Sequence, residues 1–180
     1  MALVVFLRGA NVGGHQVFQP AALAKKMAEF AVVNIGAAGT FVVKKAVSAA
    51  AFRAELGKRL PFETEMMICP GSEILALAAS EPFANPPAGK DMRALVTVLA
   101  KKPKTVPKLP IRRPEGKDWQ VDFFRIAGRF ALSFWWRPDP TKPLIYPNAV
   151  VEKVLGIPGT TRSWSAIETA CKSLGNISAV

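Results

Sequence analysis

Apolar residues run without a break from position 3 to position 7 (LVVFL), the pattern of a strand covered on both faces. RGANVGG follows and predicts a glycine-rich turn. From Pro20 the period changes. Leu23, Met27 and Phe30 recur at i, i+4 and i+7, which predicts a helix, and Pro20 suits its first turn. Residues 31–35 and 40–44 predict two strands joined through GAAG as a hairpin. Ser48 is placed to cap a helix carrying Phe52, Leu56 and Leu60 on one face, with Pro61 helping to end it. Residues 65–69 predict a fourth strand. The order strand, helix, strand, strand, helix, strand is that of the split βαβ, ferredoxin-like unit.

Ser72 predicts the N-cap of a short alanine-rich helix over residues 73–79. EPFANPPAGK is a proline-rich linker and places a boundary after residue 80. Residues 93–100 predict a buried strand, and 119–125 with 129–136 a hairpin around Ala127-Gly128. Residues 148–155 predict a helix that Gly156 terminates. Thr161 is expected to cap a last helix whose face holds Trp164, Ile167, Cys171 and Leu174. The expectation is an α+β fold of two small ferredoxin-like subdomains with antiparallel sheets. One spans 1–80, the other 81–180, with C-terminal helices. The βαβ order of the second is complete only if the helix after Ser72 is counted with it.

Composition allows a substantial core, since 50% of the 180 residues are hydrophobic and 21% charged. The charge changes the picture more: 24 Lys and Arg against 13 Asp and Glu, a formal net of +11. Residues 91–180 hold fifteen cations and seven anions, and the segment 101–117 alone holds seven cations against Glu115. Such a balance attracts anions and does not name a reaction. The four prolines of that segment, at positions 103, 107, 110 and 114, forbid helix and favour extended backbone. No stretch is long and apolar enough for a membrane span, and the apolar start has no basic leader region. Cys69 and Cys171 form no CxxC motif and there is one histidine, so no metal site and no cofactor is expected. Two core thiols without a disulfide predict a reducing, cytoplasmic setting.

Four stretches are candidates for chemistry. The first is Arg8 to His15. Its glycines allow backbone amides to turn toward one anion, with Arg8, Asn11, Gly13 and Gly14 as ligand-binding residues, or they merely permit a tight connection. His15 beside it is the catalytic candidate, an imidazole placed to act as a general base. The second is Thr160, Thr161, Arg162 and Trp164, where a helix N-terminus would favour an anion or simply be capped. The third is Lys101, Lys102, Lys104, Lys108, Arg112, Arg113 and Lys117, able to track a phosphate backbone or to form a solvated loop; it holds no aromatic residue for base stacking. The fourth is the aromatic hairpin, whose alternation places Phe130, Phe134 and Trp136 on one face and Trp135 on the other. One face is core, and the other is core or a stacking platform. Asp118 and Asp122 share a strand face but have no second acidic cluster for a two-metal site.

FLRGANVGG near the start, and GRFALSFWW followed by EKVLGIPGTTRSWSAI near the end, resemble the bacterial domain of unknown function 1697 family. That family reads LRGINVGG, then a QSGNVVF-like hairpin, then a TTRNWNT-like motif. The resemblance implies an α+β fold of ferredoxin-like subdomains and no established activity. The chain departs from the pattern at Ala37, Ala38 and Thr40, where the family carries Gln, Ser and Asn, and reads TTRSWSA at the end. If those polar residues line a pocket, this member has lost part of the lining. The reading is a cytoplasmic protein binding a nucleotide-like or phosphate-bearing ligand at the Gly-rich loop and the helix start. An enzyme using the same pocket, through His15 or Asp118 and Asp122, and a nucleic-acid binder acting through 101–117 are the alternatives.

Overall fold

The first apolar run becomes β1 (Leu3–Leu7), buried at every residue. It lies in the centre of a four-stranded sheet in a computed structural model that describes residues 1–87 and 91–175. β2 (Val32–Asn34) and β3 (Thr40–Val43) form the predicted hairpin, and β4 (Met66–Pro70) follows a helix. The sheet order is β2-β3-β1-β4 with every neighbouring pair antiparallel. β1 and β2 therefore run parallel, with β3 inserted between them. Gly39 turns the hairpin with φ +70°, and a Cβ there would stand 3.0 Å from the Leu7 side chain. Both the backbone and the close approach exclude a larger residue.

Two helices cover one face of this sheet. α1 (Pro20–Lys26) starts on proline, and α2 (Ala49–Arg59) starts where Ser48 Oγ accepts from the Ala51 amide at 3.1 Å. Their apolar faces, Leu23, Ala24, Phe52 and Leu56, pack with Met27 on Leu3, Val5, Leu7, Phe41 and Val43. Val4, Phe6, Val42 and Cys69, which alternate onto the other face, are equally buried.

α3 (Gly71–Ala79) begins two residues before the expected start at Glu73, so Ser72 lies inside it and is not its cap. Pro70 occupies the cap position and Gly71 enters the helix, at a place where a Cβ would sit 2.9 Å from Leu174. Leu174 belongs to α5 (Trp164–Gly175), which also brings the Cys171 thiol 3.6 Å from the Ile74 carbonyl. The chain accordingly divides into a first unit of residues 1–80 and 165–180 and a second of 81–164. The expected second subdomain, 81–180, thus gives up its last helix to the first unit.

The second unit holds β5 (Arg93–Leu99), β6 (Ile111–Arg113), β7 (Val121–Ala127), β8 (Phe130–Trp135), α4 (Pro147–Leu155) and β9 (Gly159–Ser163). They form an antiparallel sheet of order β6-β7-β8-β5-β9. Four strands precede its first helix, so this unit does not have the split βαβ order expected of it. A short strand inside the 101–117 segment and a strand where a helix start was expected account for the difference. α4 packs Val151 onto Leu99, Phe123 and Ala131, with Ile157 beside them. Gly156 ends α4 with φ 63°, as predicted.

Candidate functional site

The Thr160–Arg162 motif is strand, not helix N-terminus. β-branched Thr160 and Thr161 suit an extended edge strand. Register with β5 pairs Thr161 with Thr97 and Arg162 with Val96. The Thr97 and Thr161 hydroxyls meet at 2.7 Å on one face, while Thr160 and Arg162 share the other and are 5% and 7% exposed. Gly159 permits this approach, since a Cβ there would stand 2.7 Å from Thr97 Cγ2. The Arg162 guanidinium donates to Thr160 Oγ1 at 2.8 Å and to the Thr161 carbonyl at 2.9 Å. Burial pushes its pKa down to about 10, so it remains a cation at neutral pH. The helix starts at Trp164, whose indole packs 5.2 Å from Phe83 in an aromatic cluster with Phe124 and Phe134.

In the first unit, the glycine-rich turn is braced from within. Asn11 takes φ 55° and uses both ends of its amide: Nδ2 donates to the Ala37 carbonyl at 2.7 Å, and Oδ1 accepts from the Phe18 amide at 2.9 Å. Arg8 lies 2.6 Å from the Glu65 carboxylate, and Thr64 Oγ1 donates to the Arg8 carbonyl at 2.6 Å. Gly13 and Gly14, with φ 57° and 77°, are exposed at the tip. His15 is exposed there too, and its imidazole makes no hydrogen bond among the described residues. The turn and the Thr160–Arg162 strand belong to different units. Asp118 is exposed while Asp122 is 4% exposed, so the expected shared acidic face does not form. Among the described residues no three of His, Cys, Asp and Glu group as metal ligands, and Cys69 and Cys171 form no disulfide.

The basic segment is anchored at both ends. Arg129, placed by the β7–β8 turn, donates to the Leu99 carbonyl at 2.7 and 2.9 Å and to Ala100 at 3.0 Å. Pro103 is buried. At the far end β6 pairs with β7, where Arg112 holds buried Asp122 at 3.1 Å and lies 5.3 Å from the Trp119 ring. Asp122 Oδ1 is buried without a partner among the described residues. Arg113 reaches Glu115 at 3.5 Å. Two of the seven cations are therefore engaged. Lys101, Lys102, Lys104, Lys108 and Lys117 are exposed and make no ion pair among the described residues.

Composition and periodicity did not assemble one further surface. Arg113, Val121, Trp135 and Arg93 are successive cross-strand partners, so they form one row on the α4 face of the second sheet. The Arg93 guanidinium lies 5.6 Å from the Trp135 ring centroid, and Tyr146, 56% exposed, stacks on that ring at 6.2 Å and 24°. Beside this row a groove of about 440 Å³ is lined by Arg113, Ile145, Ala149, Val150, Lys153 and Val154. Buried Gln120 fixes its edge, donating to the Pro143 carbonyl at 2.8 Å and accepting from the Ile145 amide at 3.0 Å. Trp135 Nε1 donates to the Ile145 carbonyl at 2.9 Å. The sequence signal for this site was Trp135 facing opposite to Phe134. Tyr146, outside both strands, carried none.

Among the described residues these elements define a mixed α+β protein of two antiparallel sheets, four- and five-stranded, with five α-helices. No helix among the described residues is long and apolar enough to cross a membrane. Residues 1–125 match the model of the family described as Protein of unknown function (DUF1697), and the chain belongs to that family. It is similar in fold to the conserved bacterial protein SP0830 from Streptococcus pneumoniae, with a TM-score of 0.56 and 16% identity over 97% of this chain and 98% of that one. No curated protein matches the chain.

Proposed function

We propose that the protein binds a nucleic-acid strand through the phosphate backbone, using the basic segment of its second unit. The observation that carries this reading is the set of five exposed lysines, 101, 102, 104, 108 and 117, without an ion pair among the described residues. A segment anchored by Arg129 at one end and by the Arg112–Asp122 pair at the other loses less conformational entropy on binding than a loose tail does. Lysine ammonium groups in that setting exchange condensed counterions for phosphates, so affinity falls with salt. The test is titration of a single-stranded oligonucleotide at several salt concentrations. Changing all five lysines to glutamine is expected to lower the slope of log K against log salt by about 3.5, at about 0.7 per phosphate contact. Equal slopes for the two proteins would overturn the reading.

A second reading rests on the exposed Gly13-Gly14 tip. Both glycines are exposed and carry no Cβ, so an anion can approach their amides closely. Arg8 at the base of the turn adds a cation, although Glu65 already engages it. Thr160, Thr161, Arg162 and Trp164 belong to this reading only as a separate anion-attracting element, centred on the Arg162 cation. Calorimetric titration with inorganic phosphate tests it, and identical heats from the wild type and Gly13→Ala, Gly14→Ala would discard it. The strand order of the first unit supports a ferredoxin-like assignment for that unit alone. Two cysteines without a disulfide support a cytoplasmic setting.

A further inference from the structure

The geometry points to a stacking subsite on Tyr146 and Trp135 for an unpaired base of the strand that the basic segment binds, an inference that rests on the first reading above. Three independent features converge on it. The first is an exposed aromatic face that is already ordered: Tyr146 is 56% exposed, yet it is stacked on Trp135, whose indole is pinned by its bond to the Ile145 carbonyl. A large exposed aromatic normally costs solvation without return, whereas a rigid one offers a base a π-face with little entropy left to lose. The second is charge. Arg93 and Arg113 lie at the two ends of the cross-strand row that contains Trp135, spanning about 14 Å at the usual inter-strand spacing, and Lys153 lines the adjoining groove. None of the described residues lining the groove is acidic, and Glu115 holds Arg113 only at 3.5 Å. The third is continuity. Arg113 belongs both to this row and to the basic segment, so one end of that segment lies beside the aromatic pair.

An aromatic flanked by guanidinium groups beside an apolar groove of about 440 Å³ suits a planar ring attached to a phosphate. A duplex keeps its bases stacked inside, so the subsite selects single strands. Stacking on a π-face is tolerant of sequence, and no base-reading set is needed.

The experiment compares an oligothymidylate with an abasic strand of the same length, at low salt, on the full chain. The wild type is expected to bind the oligothymidylate more tightly, by about tenfold. Tyr146→Ala is expected to remove that preference while leaving the abasic strand's affinity unchanged. Tyr146→Phe, which keeps the ring, is expected to retain it. The five-lysine variant is expected to weaken both strands by the same factor. If Tyr146→Ala leaves the ratio of the two affinities as in the wild type, the subsite is wrong, and the lysine reading stands on its own salt slope. If the wild type binds neither strand, both fall together. Circular dichroism of Tyr146→Ala separates a lost stack from a lost fold.

Discussion

Replacing Gly159 by alanine tests whether β9 is held against β5 in the register that buries Arg162. The backbone at 159 is not in the left-handed region, so strain does not enter. The new methyl would meet Thr97 Cγ2 at 2.7 Å and the Val98 carbonyl at 3.2 Å. Thr97 is fully buried and its hydroxyl is committed to Thr161, so its methyl has nowhere to turn. Overpacking of this kind costs about 1–3 kcal/mol. Thr97→Ser keeps the hydroxyl bond and removes the methyl, at about 1 kcal/mol for the lost burial. In the double variant the alanine methyl fills the space the threonine methyl left. The pair should therefore be about as stable as Thr97→Ser alone, which makes the coupling as large as the cost of Gly159→Ala itself, about 1–3 kcal/mol. The assay is urea-dependent exchange of the β5 amides, which scores the second unit by itself. Losses that add to within about 0.5 kcal/mol would refute the packing argument, because uncoupled sites behave that way.

Asn11→Ala removes both braces of the glycine-rich turn and should cost about 1–3 kcal/mol, with faster exchange of the Phe18 amide; unchanged exchange there would mean that the turn holds itself. Ser48→Ala removes the α2 cap and should lower stability by about 1 kcal/mol, read as a lower urea midpoint at constant m. The Arg59 guanidinium, bonded to Glu29, holds that carboxyl below the usual value of 4.5. A depressed folded-state value means that the contact helps at neutral pH and is lost as pH falls through it. Arg59→Met should return the Glu29 titration toward 4.5 by NMR and flatten the acid limb of stability.

The first unit was legible because its signals are local. β1 reads as an unbroken apolar run, α2 as an i, i+4 spacing, and the two helix starts as Pro20 and Ser48, although α1 stops at Lys26 and Phe30 falls in a separate 3-10 turn. The second unit depends on pairings between distant residues. Thr160-Thr161-Arg162 carries the same letters as a helix cap, and only Thr97, far back in the chain, makes it a strand. Ile111–Arg113 is three residues between prolines, too short to show a period, and its partner is Asp122 across a loop. The aromatic row draws Arg93, Trp135 and Tyr146 from three separate segments, so register rather than spacing assembled it. Asn11 and Arg8 read as ligand groups because sequence does not reveal that Ala37, Phe18 and Glu65 already occupy them.

The return of α5 to the first unit gives the chain a temporal order during synthesis. Residues 81–164 are contiguous and hold all the second unit's strands, so they are complete as soon as they leave the ribosome. The first unit, although begun earlier, waits for Leu174 to cover Gly71 and for Cys171 to reach Ile74. Until then α3 leaves open its apolar flank of Ile74 and Leu77, which is buried in the finished protein. The part translated first is therefore the last to close, and the nascent chain is most exposed to aggregation or chaperone capture in that interval.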